Sequence, residues 1–223
     1  MAGETSVSRS NLTPAAEACG AFVVIDFETT GMSPQQGARI TEVGAVRIVN
    51  GRLTEHFQSL VRTGAWVPPF IEQLTGISNA MLRGAPPAAE VLPALARFIG
   101  STPLVAHNAS FDRRFLDAEL AREGLQRTQP MLCSMRVSRR VFPQAPAHKL
   151  ATLVHWAGLP SDGVCHRALA DAQMTAHLWL HIAVTLRARY GFGELPLRLF
   201  ANLQNCPAAQ ADGWLRRMAA GLH

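Results

Sequence analysis

Short apolar runs broken by turn signals dominate the first third of the chain, and helical spacing takes over later. Ala21–Phe27 is brief, apolar and β-branched, the pattern of a buried strand. Arg39–Val49 alternates, with Ile40, Val43, Val46 and Ile48 as apolar members, and Asn50-Gly51 follows. That dipeptide favours a two-residue hairpin, so Arg52–Val61 is the predicted return strand. Three strands are therefore expected at the start, the last two antiparallel.

Beyond Pro68-Pro69 the period changes. Phe70–Leu74 reads as a short helix stopped by Gly76, and Ser78 as the cap of a second short turn. After Pro86-Pro87, Val91, Leu92, Leu95, Phe98 and Ile99 form one helical face. Pro103–Ala106 is a fourth strand. Ser110 is the expected N-cap of a helix over Phe111–Glu123, with Phe115, Leu116 and Leu120 inward. Met131–Met135 predicts a fifth strand running into a helix that ends near Phe142. Helices follow over Leu150–Trp156 and, longest of all, Arg167–Arg189. Strands first, then strands mixed with helices, give a layered mixed α/β fold. The predicted organisation is a loose tail over 1–19, a main domain over 20–190, and a partly helical C-terminal extension over 191–223.

Composition narrows the class without deciding it. Apolar residues make 48% and charged residues 17% of the 223, which is globular rather than disordered. The net charge of +5 suits a polyanionic partner, although a merely basic protein would show it too. The four cysteines form no CxxC pair, which gives no zinc knuckle or dithiol centre. No apolar stretch is long enough to span a bilayer, and residues 1–18 lack the apolar centre of a signal peptide. A cytoplasmic location without membrane attachment is expected.

The chemistry lies in three segments: FVVIDFETTG at 22–31, LVAHNASFD at 104–112 and HRALADA at 166–172. Asp26 and Glu28 are two apart on a strand and so share a face. Asp112 opens a helix, Asp171 lies on an otherwise apolar helix face, and His166 stands just before that helix. Each has an ordinary explanation alone: a solvated strand end, a helix-dipole acid, an exposed loop histidine. Together they place four carboxylates where only cations could hold them. Hard divalent cations, Mg²⁺ or Mn²⁺, are the natural occupants. Two such ions about 3.5–4 Å apart support phosphodiester hydrolysis by water. An imidazole, whose ordinary pKa is ~6.5, suits the role of general base.

These segments resemble the three motifs of the DEDDh 3′→5′ exonucleases, the group that includes the proofreading subunit of bacterial replicative polymerases. The resemblance runs over 22–183, and QLTGIS at 73–78 is similar to a family segment that holds the substrate end. It implies a ribonuclease H-like fold, with a central five-stranded mixed sheet flanked by helices. It implies that Asp26 bridges two metal ions, that Glu28 and Asp171 hold the one carrying the attacking water, and that Asp112 serves the other. His166 is then the general base. Thr29, Thr30 and Gly31 would line the 3′-terminal nucleotide, with Asn108 and Phe111 near the scissile phosphate or the adjacent base. Phe111 and Leu74 would wedge against the last bases, and Arg113 and Arg167 would hold the backbone.

DNA with single-stranded or mismatched 3′ ends is the expected substrate, and RNA is the alternative. The competing class is a non-catalytic nucleic-acid-binding accessory module, which all four carboxylates argue against. A DNA polymerase is a candidate partner. So is a sliding clamp, since Pro-Leu-Arg-Leu-Phe at 196–200 faintly resembles a clamp-docking peptide. The plainer expectation for that segment is packing back onto the domain.

Overall fold

The computed structural model describes residues 20–161 and 166–221. The expected tail over 1–19 and residues 162–165, just before His166, fall outside these residues. Five strands form one mixed sheet in the order β3-β2-β1-β4-β5. They are β1 (Phe22–Thr29), β2 (Ile40–Val49), β3 (Arg52–Leu60), β4 (Leu104–Ala106) and β5 (Met131–Cys133). β1 runs antiparallel to β2 and parallel to β4, so it is the strand at which the sheet changes sense. The five-stranded mixed sheet expected from the sequence is thus observed. Asn50 and Gly51 both take positive φ, 49° and 75°, as a type I′ hairpin turn requires.

Period-two alternation along β1 divides the interior into two cores. Phe22 and Val24 face one side, with Val46 and Ile48 of β2. Against them pack α5 (Ser134–Val141), α6 (Leu150–Trp156) and α7 (Ala168–Tyr190). Val23, Ile25 and Phe27 face the other side, under α3 (Ala88–Ile99) and α4 (Ser110–Arg122). Two short helices, α1 (Pro69–Thr75) and α2 (Asn79–Arg83), form a small satellite cluster against Leu60 of β3. Ser78 caps α2 as expected, its hydroxyl accepting from the Met81 amide. Ser110, by contrast, is not an N-cap: α4 begins with it, and Ala109 occupies the cap position without a side-chain bond. The cause is Asn108, whose left-handed φ of 68° turns the chain one residue earlier.

The C-terminal extension is part of the main body. Helices α8 (Leu197–Leu203) and α9 (Ala211–Ala219) bury Leu199, Phe200, Leu203 and Leu215 in the α7-side core. Phe200 stacks 4.5 Å from Trp179, which in turn meets Phe22 edge-on at 5.6 Å. The segment 196–200 therefore packs back onto the domain, the plainer of the two expectations for it. Leu199 is 3% exposed and Phe200 0%, so the two anchors a clamp-docking peptide would offer are internal packing groups.

One buried ion pair ties the two halves of the sheet together. Arg39, just before β2, donates from Nε and Nη2 to both carboxylate oxygens of Glu119 on α4, at 2.7 and 2.8 Å. Arg122 adds a contact at 3.4 Å. Removing one partner leaves the other charge half-desolvated. Glu119→Ala should cost roughly 2–4 kcal/mol, read from urea unfolding midpoints at constant slope. An unchanged midpoint would show that the brace carries no stability.

Candidate active site

Asp26 and Glu28 point to the α7 side of β1, opposite Gly44 and Glu42 of β2 in the ladder. The register slips between Glu28 and Thr29, a bulge at the end of β1. Such bulges re-aim side chains at a sheet's rim. Asp112 arrives from the opposite layer. It is 2% exposed, and the Phe27 amide, beyond the last β1–β4 pair, donates to its carboxylate. This bond fastens the first turn of α4 to the end of β1.

Asp171 sits in the first turn of α7, and its Oδ2 accepts from the His166 amide at 3.0 Å. His166 has a φ of 59°, a left-handed conformation that a non-glycine residue adopts only under constraint. Its exposed ring comes close to the acids: ligand atoms of Glu28, His166 and Asp171 all lie within 4.8 Å of one another. The five residues singled out in the sequence thus meet at the carboxyl end of the central strand, where open α/β sheets bind ligands.

Two residues not foreseen hold this geometry. Glu42, 1% exposed, accepts from Arg167 Nε and Nη2 at 3.1 and 2.8 Å, from Gln58 at 2.9 Å and from the Ala168 amide at 3.1 Å. It therefore satisfies an amide at the start of α7 that no group in the helix can reach. Arg167, expected to hold substrate phosphate, is instead bound to Glu42. Beside this pair, Gly44 lets α7 touch the sheet. A Cβ there would sit 2.1 Å from the Ala168 carbonyl carbon, inside backbone contact distance.

The acids crowd one another. Burial, then the neighbouring carboxylates of Asp112, Asp171, Glu28 and Glu42, holds Asp26 well above the ordinary carboxylate range. Burial followed by Asp171 pushes Glu28 up to about 8, against a lowering influence from Arg167. Burial pushes Asp112 up to about 8 as well, although backbone amides oppose it. Such a set is ill-suited to ionise alone and well-suited to oxygen-seeking divalent cations. The donor set therefore fits divalent metal ions.

The substrate-side expectations fare unevenly. The Thr29 hydroxyl donates to the Gly31 carbonyl at 2.7 Å, and the Thr30 hydroxyl accepts from the Arg39 amide at 3.0 Å. Both side chains are buried and serve the loop itself. Gly31 has no left-handed φ, so the turn does not depend on its freedom; it faces Ala38 closely, at 3.4 Å from an added Cβ. Asn108 is exposed, and Phe111 is half-buried against Phe115 at 4.8 Å between ring centres. Leu74 is 51% exposed, as a wedge requires, and Phe70 one turn earlier is 65% exposed. Sequence reading missed Phe70, although the i,i+4 spacing to Leu74 signals a shared face. His107 is structural: its ring bridges Ser134 at 2.9 Å and the His148 carbonyl at 3.0 Å.

Comparison with known proteins agrees with this geometry. The family model described as Exonuclease (RNase_T) matches residues 23–179. The DNA polymerase III subunit epsilon of Aquifex aeolicus is 38% identical over 176 residues, which covers 78% of this chain and 86% of that protein. The chain belongs to the DEDDh 3′→5′ exonuclease family. The 3′-5′ exonuclease DinG of Bacillus subtilis is 40% identical over 167 residues, 74% of this chain but 18% of that longer protein. Among solved structures, exonuclease X in complex with 5′ overhanging duplex DNA superposes with a TM-score of 0.65 at 27% identity. It covers 82% of this chain and 99% of that one. The protein is thus a DEDDh-type exonuclease of ribonuclease H-like fold, a phosphodiester hydrolase. Among the described residues, no helix is long and apolar enough to cross a membrane.

Proposed function

We propose that this protein removes nucleoside 5′-monophosphates from the 3′ end of DNA, acting on single-stranded or mismatched termini in proofreading or repair. The observation that carries the reading is the convergence of Asp26, Glu28, Asp112, Asp171 and His166 on one rim of the sheet. In this reading the carboxylates would hold a Mg²⁺ or Mn²⁺ pair: Asp26 would serve both ions, Glu28 and Asp171 one, and Asp112 the other. Such a pair supplies charge neutralisation at the phosphate and an acidified water. His166 takes the proton from the attacking water. As the new P–O bond forms, the bond from phosphorus to the 3′ oxygen breaks, and that oxygen takes a proton from solvent, so the shortened strand leaves with a 3′ hydroxyl.

The 3′ terminus would lie along the Thr29–Gly31 loop, with the scissile phosphate beside Asn108. Phe70 and Leu74 offer an exposed apolar face for the last bases, and Phe111 a second contact. Stacking of this kind tolerates any sequence. DNA is favoured because relatives include a DNA polymerase III epsilon subunit and a neighbour bound to duplex DNA. A polymerase is the corresponding partner, and the cytoplasm the corresponding location.

The test is side-by-side digestion of 5′-labelled single-stranded DNA, RNA and matched or mismatched primer-templates with Mg²⁺ and Mn²⁺. A ladder growing from the 3′ end is expected on DNA, faster on single strands and mismatched ends, because fraying a mismatch costs less. Laddering on RNA alone would replace the substrate. Cleavage of circular single strands, or blunt duplex degraded as fast as single strand, would overturn the end-binding assignment.

A further inference from the structure

Beyond the catalytic rim, on its β4–β5 side, a cleft of about 440 Å³ opens between the start of α4 and the outer face of α5. Asn108, Ala109 and Ser110 line it, so it adjoins the start of the helix that carries Asp112. Its walls carry Arg113 from α4 and Arg136, Arg139 and Arg140 from α5. Positions 136, 139 and 140 are spaced i, i+3 and i+4, which puts all three on one helical face.

Four guanidinium groups within one cleft repel one another unless anions intervene. Elsewhere among the described residues six arginines are paired with carboxylates: Arg39 and Arg122 with Glu119, Arg47 with Glu55, Arg127 with Asp117, Arg167 with Glu42 and Arg216 with Asp212. Among the described residues, none of the four cleft arginines has a carboxylate within ion-pair distance. Arg136 reaches the Asn205 side chain at 3.0 Å, and Arg140 the Cys206 and Arg136 carbonyls at 2.8 and 2.9 Å. These bonds fix two of the heads in place while leaving their charge uncompensated. Arg139 has only a sulfur contact, 3.7 Å to Met135. Burial, then the nearby Arg136 and Arg139 charges, lowers the Arg140 pKa, against raising influences from Cys206 and Cys133. A planar, pre-oriented guanidinium matches phosphate oxygens better than it matches any neutral ligand.

We propose that this arginine cleft binds the sugar–phosphate backbone of the substrate strand on the 5′ side of the scissile bond. The enzyme then grips a tract of nucleotides as well as the terminal one. The proposal rests on the exonuclease reading. It assigns base contacts to the α1 side of the active site and phosphate contacts to the α5 side.

The experiment compares the full chain with an Arg136→Ala/Arg139→Ala variant on two kinds of substrate. One is the p-nitrophenyl ester of thymidine 5′-monophosphate, which has no upstream backbone. The other is a series of 5′-labelled single strands from a dinucleotide upward. An Arg97→Ala variant removes an exposed charge on α3 as a control. The double variant should leave ester hydrolysis and dinucleotide cleavage unchanged while raising KM on long strands by at least about tenfold. The slope of log KM against log salt should become shallower by ~0.7 for each phosphate no longer held. Unchanged KM and salt slope on long strands would overturn the proposal. So would a parallel loss on ester and strands, since the arginines would then serve the catalytic fold. Wild-type hydrolysis of the ester with no laddering of any nucleic acid would remove the exonuclease reading itself, and the cleft assignment with it.

Discussion

Asp26→Ala and Asp171→Ala should each reduce hydrolysis by about a thousandfold or more while the chain stays folded. Each substitution removes an oxygen ligand from a cation pair expected to stabilise the transition state by several kcal/mol, and 1.36 kcal/mol is tenfold in rate. The fold should tolerate the loss because the acids oppose one another. Asp26 lies well above the ordinary carboxylate range, and Glu28 and Asp112 are pushed up to about 8. Such groups bind protons more tightly in the folded chain than in the unfolded one. Without metal, stability should therefore fall as pH rises from near 4 toward 8. Removing Asp26 relieves part of that repulsion. At pH 8 in a chelator, the variant should melt at or above the wild-type temperature, and saturating Mn²⁺ should raise the wild-type Tm by roughly 5–10 °C and the variant by less. Wild-type turnover by a folded Asp26→Ala protein would sink the two-metal assignment. A variant that melts far below wild type under chelation would show that the carboxylate supports the fold.

His166→Ala should lower turnover by roughly 10²–10⁴-fold, the usual worth of a general base. Its position leaves two roles open to measurement, because its ring nitrogen lies within ligand distance of the same space as Glu28 and Asp171. Metal titration by calorimetry separates them. Metal affinity that survives alongside lost turnover identifies the base. Affinity that falls with turnover makes His166 a ligand, and normal cleavage removes it from the reaction.

The sequence made the frame and the chemical residues legible because both obey local rules. Alternation set the faces of β1 and β2, Asn50-Gly51 marked the hairpin, and spacing put Asp26 and Glu28 together. What stayed hidden was held by partners far along the chain. Glu42 on an alternating strand looks like a solvent-facing acid until Arg167, 125 positions later, is brought against it. Glu119 looks like one more exposed helical charge until Arg39, 80 positions earlier, closes on it. Neither pair has a local signature, since both depend on which helix lies over which strand. The start of α4 was misplaced for a related reason: the left-handed turn at Asn108, not the hydroxyl of Ser110, decides where that helix begins.

Gly44 separates carrying the catalytic residues from being a catalyst. Its missing side chain sets the gap between β2, where it pairs with Asp26 of the neighbouring strand, and the helix bearing Asp171. Nothing larger than hydrogen fits without prising the two elements apart. A relative could keep every acid and the histidine, read as intact by motif inspection, and still be inert through one methyl group at this position. When chains of this kind are sorted into active enzymes and silent descendants, the residue beneath the helix start is as informative as the charged residues above it.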